Sequence, residues 1–236
     1  MVTPVIMIDT IGASSKNIPS NALKVAGYVT GGTDIEWTTA DFTRFVKTAG
    51  IVQICQKSSG DPTQAVAFDI EPGALSIAEF VNMAKVRQND HKWNSAAYIE
   101  ASQVGDLVQA LDNAKLTMVQ LWVANWSLDE IQASELLGTW VRGFQIVAVQ
   151  YASPASNPNT VCPGSSKTLK ELNLDLSVTL PTWFPAPQQG TAVKEPVAAP
   201  PGAVATLKGT LELEGLAGTH SVEISSTDDG KTWHIA

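Results

Sequence analysis

The chain is short of positive charge. Its 236 residues carry 15 Lys and Arg against 23 Asp and Glu, a net charge of −8. No Lys/Arg run or basic patch is visible, which argues against nucleic acid and anionic membranes as partners. Cysteine is scarce too: Cys55 lies in an apolar run and Cys162 in a loop. Two thiols make no disulfide framework. The three histidines, His91, His220 and His234, match no ligand spacing, so no metal and no other cofactor is expected. No apolar stretch approaches the roughly 18 residues of a membrane span. Residues 1–10 lack a basic segment followed by a long apolar one, so no signal peptide is expected and synthesis is placed in a cytoplasm.

What the sequence does contain is a globular composition, 44% hydrophobic and 16% charged. Short apolar runs recur along its first three quarters. They predict eight strands: Val5–Asp9, Lys24–Val29, Ile51–Gln56, Ala65–Pro72, Ser95–Ile99, Met118–Ala124, Phe144–Gln150 and Leu174–Leu180. Between them lie helix signals. Thr38 or Thr39 can cap a helix through Lys47, and Ser76 with Glu79 has capping-box spacing. Ser102 is placed to cap a helix with Val104, Leu107, Val108 and Leu111 on one face, and Ser127 with Glu130 forms a second capping box. Strands alternating with helices imply a parallel sheet, and eight is the number that closes an α/β barrel. The predicted fold is therefore a reduced (β/α)8 TIM barrel over residues 1–185, its first and third connections too short or polar for helices. An open doubly wound sheet is second, weakened by the lack of a Gly-rich phosphate loop after the first strand. Residues 186–205 read as a Pro/Ala-rich linker and 206–236 as a small β-hairpin segment, too small to bury a core alone.

The most informative stretch is Ala65-Val66-Ala67-Phe68-Asp69-Ile70-Glu71-Pro72. Side chains alternate along a strand, so Asp69 and Glu71 share one face, roughly 6.5–7 Å apart, and Pro72 ends the pairing. Acids at the end of a barrel strand are where such folds place chemistry. The other strand ends offer Asp9, Tyr28, Tyr98, Trp122, Asn125, Trp126, Gln150 and Tyr151, with Asp175 at the start of the last strand. Paired carboxylates suit cleavage of a glycosidic bond, while aromatic faces and amides suit sugar rings. Glu71, with the longer reach, is the expected proton donor; Asp69, Asp9 and Asp175 are expected to hold charge or orient the substrate.

Ile8-Asp9, Phe68-Asp69-Ile70-Glu71, Leu121-Trp122-Val123-Ala124-Asn125-Trp126, Val149-Gln150-Tyr151 and Leu174-Asp175-Leu176 come in an order that resembles glycoside hydrolase family 25 lysozymes and the related barrels of actinobacteria and their phages. The resemblance spans about residues 4–185. It implies a muramidase-like barrel that cuts peptidoglycan, with Glu71 as the acid and Asp9, Asp69 and Asp175 as flanking acids. The chain departs from the pattern at Ile11, where the family usually has Ser. The resemblance also implies a phage setting, at lysis or on the virion. The alternative is a structural minor tail protein whose inactive barrel binds cell-wall glycan. Residues 226–233, Ser-Thr-Asp-Asp-Gly-Lys-Thr-Trp, look like an Asp-box, a structural hairpin turn. The 206–236 segment is where contacts with other tail proteins or with further copies of the chain are expected.

Overall fold

The computed structural model describes residues 3–184, 205–211, 220–226 and 234–235. The chain divides into two compact units, Met1–Gln189 and Gly190–Ala236. In the second unit, strands Ala205–Leu211, His220–Ser226 and His234–Ile235 pair antiparallel in that order. Asp-box residues 227–233 and linker residues 186–204 lie outside the described residues.

The first unit is a closed barrel of eight strands. In chain order the strands are β1 (Val5–Thr10), β2 (Lys24–Tyr28), β3 (Gly50–Cys55), β4 (Ala67–Ile70), β5 (Ser95–Glu100), β6 (Val119–Ala124), β7 (Trp140–Val141), β8 (Phe144–Ala152) and β9 (Asp175–Thr179). The neighbours run β6-β5-β4-β3-β2-β1-β9-β8, and a further β6–β8 pairing joins the ends of the row. β7 sits outside the ring, hairpinned onto the start of β8. Closure removes the exposed edges that an open sheet would carry.

This corrects the predicted (β/α)8 barrel. The ring is mixed: β1 to β6 and β8 are parallel, but β9 is antiparallel to both its neighbours, β1 and β8. Helices do not alternate with strands all round. α1 (Thr39–Phe45), α2 (Ile77–Val86), α3 (Val104–Ala114) and α4 (Glu130–Leu136) follow β2, β4, β5 and β6. β1 is followed only by a 3₁₀ turn, Gly12–Asn17; β3 has no helix after it; before β9 stands one turn, α5 (Leu169–Leu172). The physical reason lies in the connections. A parallel return needs a crossover of a dozen or more residues, usually helical, whereas an antiparallel return does not. Residues 153–174, rich in Ser, Pro and Asn, hold too little helix to carry the chain back under the barrel, so β9 simply turns and descends.

Two caps also differ from the sequence reading. α3 starts from Gln103 without a side-chain cap, after a 3₁₀ turn over Ala101–Gln103, so Ser102 caps nothing. α4 is capped by Asp129, whose carboxylate accepts from the Gln132 N–H while Gln132 bonds back. Ser127 instead donates to Asn125 Oδ1. The Thr38–Asp41 and Ser76–Glu79 boxes close as capping pairs.

Strand alternation splits the apolar side chains into two cores. Ile8, Val25, Phe68, Ile70, Ile99, Val149 and Leu176 face outward and pack under the helices with Phe45, Phe80, Leu107 and Leu111. Met7, Ala26, Ile54, Ala67, Ala96, Trp122, Ala124 and Ala148 face inward. The alanines leave room in a narrow barrel for Trp122, which is fully buried. The helix-free connection from β3 to β4 is held instead by Arg87, buried at the end of α2. Its guanidinium donates to the carbonyls of Pro62, Ala65 and Asn94 and to Ser95 Oγ. Gly27 admits the Trp37 ring against β2, where a Cβ would come within 2.2 Å of it, and Trp37 Nε1 donates to Thr10 O. That contact pins the 29–38 loop beside the end of β1.

The foot of the barrel is plugged. Lys24, the first residue of β2, is 1% exposed; its ammonium donates to Thr179 Oγ1 and to the carbonyls of Leu180 and Trp183. Trp183 lies beneath Trp122, ring centroids 6.1 Å apart. Burial without a counter-ion pulls the Lys24 ammonium down to about 8. Among the described residues no helix is long and apolar enough to cross a membrane.

Candidate functional site

The opposite end of the barrel gathers the acids. β1 ends in Asp9-Thr10, and its register with the descending β9 sets Asp9 directly against Asp175. On β4, Asp69 alternates with Phe68 and Ile70, which go to the outer core, so its carboxylate turns inward. Glu71 follows at the strand's end, half-buried. Asp69 pairs in register with Tyr98 of β5, and Tyr98 with Trp122 of β6. Tyr28 reaches across from β2 and donates to Asp69 Oδ2 at 3.2 Å. Tyr98 sits edge-on to Trp122, centroids 4.9 Å apart, and its hydroxyl donates to Gln150 Oε1 on β8. Trp122 Nε1 donates to Ser177 Oγ at 3.0 Å.

Burial and mutual repulsion set the charge state of the four acids. Asp9, 5% exposed, is held well above the usual carboxylate range, first by burial and then by Asp175, Asp69 and Glu71. Asp175 is raised by burial and by Glu71. Asp69, 3% exposed, is pushed up to about 7 by burial and Glu71, against the opposing Tyr28 hydrogen bond. Glu71 is raised by burial and by Glu100, and is held back by the Tyr98 hydroxyl. Burial, with repulsion among the four, therefore leaves protons on some of these carboxyls at neutral pH. Two oxygens, Asp9 Oδ1 and Asp69 Oδ1, are buried with no hydrogen-bond partner among the described residues. Both belong to groups that ordinarily demand one.

Of the four acids, Glu71 alone lines a cavity among the described residues, and Asp9 and Asp69 are buried beneath the surface. A cleft of about 530 Å³ opens beside Glu71, lined by the 70–79 turn and Gln103. A second groove of about 410 Å³ runs past Trp126, Asp129, Tyr151 and Asn157.

Of the sequence-predicted residues, Asp9, Asp69, Glu71, Asp175, Tyr28, Tyr98, Trp122 and Gln150 come together at this end. Tyr151 does not join them. It follows Gln150 on the same strand and so faces the other way, into the outer core, with its hydroxyl on Glu130. Asn125 shapes the turn after β6, its side chain accepting from Ser127 and its N–H bonded to Gln150 O. Trp126 is half-buried, packed against the inner core at the edge of the second groove, its N–H without a partner among the described residues. Sequence reasoning missed Ser177 and Thr179. Their signal was the alternation Asp175-Leu176-Ser177-Val178-Thr179, a strand with one polar face turned into the barrel.

Comparison with family models, with curated proteins and with solved structures finds no match. A carboxyl with a raised pKa at a cleft, as Glu71 has, can protonate an oxygen leaving group that reaches it.

Proposed function

We propose that this chain is a glycoside hydrolase directed at cell-wall peptidoglycan, muramidase-like, with Glu71 as its general acid. The observation that carries the reading is the convergence of Asp9, Asp69, Glu71 and Asp175, from three strands, on one end of the barrel. Glu71 borders the open cleft and keeps its proton above the ordinary range, as a donor to a glycosidic oxygen requires. Behind it Asp69 and Asp175, whose carboxyls are pushed up to about 7, contribute negative charge as they ionise, which favours an oxocarbenium-like centre. Tyr28 and Tyr98 orient Asp69 and Glu71. The ordered landmarks that resemble family 25 lysozymes support the same acid and the same substrate, and through them a phage setting.

The second reading is a glycan-binding barrel of a phage tail that does not cut. Ile11 in place of the family's Ser and the deep burial of Asp9 favour it. Purified wild type and Glu71→Gln incubated with cell walls decide between them. Release of reducing ends by the wild type, reduced at least about 100-fold in Glu71→Gln, is the expected result. Equal inertness of both proteins, with walls still bound, would leave the binding reading and end the catalytic one.

A further inference from the structure

Gln150 is 3% exposed, too deep to meet a glycan directly. Its side-chain oxygen accepts the Tyr98 hydroxyl instead. The two residues come from β8 and β5, and β6 runs between those strands. Ala124 of β6, opposite Gln150 in register, faces inward and has no side chain beyond Cβ to keep them apart. A bulge also falls here: Gln150 faces Ser177 of β9 and Ala152 faces Leu176, with Tyr151 left over. Bulges re-aim the side chains beside them. Tyr98 is held in turn. Its ring meets the edge of Trp122, which is anchored on Ser177 Oγ and backed by Trp183.

A second acceptor competes for the same hydroxyl. Asp69 pairs in register with Tyr98, and Glu71 stands two residues further along β4, its carboxyl within reach of the Tyr98 oxygen. A phenol carries one proton, so what is given to Gln150 is withheld from Glu71. A hydrogen bond donated to a carboxylate favours the ionised form, and its loss favours the acid. The other titratable groups around Glu71 are Asp69 on its own strand, Asp9 on β1, Asp175 on β9, Glu100 at the end of β5, Glu79 on the same cleft, and Tyr28, committed to Asp69. None of these is a cation. An amide suits the position because it draws the hydroxyl without adding another negative charge.

We propose that Gln150 is a positioning residue for Glu71: by taking the Tyr98 hydroxyl proton, it leaves Glu71 protonated and ready to donate. The proposal rests on the reading of Glu71 as the general acid and names the residue that sets its charge.

The test is a carbon-13 NMR titration of the Glu71 carboxyl in the full chain, its signal identified by its loss in Glu71→Gln. Gln150→Met is similar in length and lacks the amide oxygen. The freed Tyr98 hydroxyl should then donate to Glu71, and the midpoint should fall by about one pH unit. The alkaline limb of wall cutting should move with it. The fall should vanish in Gln150→Met/Tyr98→Phe, which keeps the ring against Trp122 and has no hydroxyl to give. Tyr98→Phe alone should raise the midpoint by less than about half a pH unit, because in the wild type the hydroxyl gives Glu71 little. That measurement leaves Gln150 intact, so it decides the matter should Gln150→Met not fold. A midpoint that stays or rises in Gln150→Met overturns the proposal. So does a fall that survives loss of the hydroxyl, since a disturbed core would produce it, and so does a rise of about one pH unit in Tyr98→Phe alone. If the midpoints move as expected while walls stay intact, the relay stands and the enzyme reading falls. If walls are cut in a Glu71-dependent way and the midpoints do not move, this inference falls and the enzyme reading stands.

Discussion

Replacing Asp69 by Asn should make the protein more stable at neutral pH while harming whatever the site does. Asp69 is 3% exposed and its carboxyl sits at about 7 instead of 3.8. In the unfolded chain the proton leaves near the ordinary value; in the folded chain it stays on. The folded state therefore binds more protons between those limits, and stability must fall as pH rises through that window. The gap is worth about 4 kcal/mol at most, stabilisation fully present below about pH 4 and gone above about pH 7. Asn is nearly isosteric, never ionises and still offers an oxygen to the Tyr28 hydroxyl. Urea unfolding of wild type and Asp69→Asn at intervals from pH 4 to pH 8 reads the effect. The two curves should lie within about 1 kcal/mol at the acid end and diverge upward with pH, the variant leading by roughly 2–4 kcal/mol at pH 8. In a domain of this size that separates the melting temperatures by several degrees. Taking the difference between the proteins removes the shared titration of exposed acids such as Glu79 and Glu171, which are lowered by their capping bonds and act in the opposite sense below pH 4. A constant offset across the range, or a variant less stable than wild type at pH 8, would refute the account of a strained acid cluster.

Three further outcomes follow from named contacts. Lys24→Ala should destabilise the fold by roughly 3 kcal/mol, since it opens a cavity and strands the Leu180 and Trp183 carbonyls; thermal melts and a red shift of tryptophan emission from Trp122 and Trp183 would report it. In the wild type the lowered Lys24 ammonium means the unfolded chain binds the extra proton between about pH 8 and 10.5, so this group's contribution should rise with pH across that window, a slope absent in Lys24→Ala. Arg87→Ala should cost about 3 kcal/mol, and limited proteolysis should then cut first within residues 56–66, whose carbonyls lose their donor.

Much of this barrel is legible in the sequence. Apolar runs mark the eight ring strands to within a residue or two, because buried strands need little beyond hydrophobicity and ends that break pairing. β7 was invisible: two residues, Trp140 and Val141, carry no period, and the hairpin depends on the positive φ of Arg142 and Gly143. Strand direction was not legible either. Leu174–Leu180 reads the same whether it ascends or descends, and only the failure of residues 153–174 to build a crossover helix decides it. That decision matters for the site. In an all-parallel ring Asp175, at the start of its strand, would sit at the foot beside Lys24. Descending, it arrives level with Asp9. The four acids were thus identifiable by type and spacing, but their meeting depends on the one strand whose orientation the chain conceals.

The same reversal fixes where the polypeptide enters and leaves. β1 begins and β9 finishes as paired neighbours, Val5 against Thr179, with the Thr179 hydroxyl on the Val5 carbonyl at 3.0 Å. Entrance and exit thus share one doorway at the far side from the carboxylates. A barrel closed this way brings its first and last ring strands side by side, so one edge of the ring carries both of its ends.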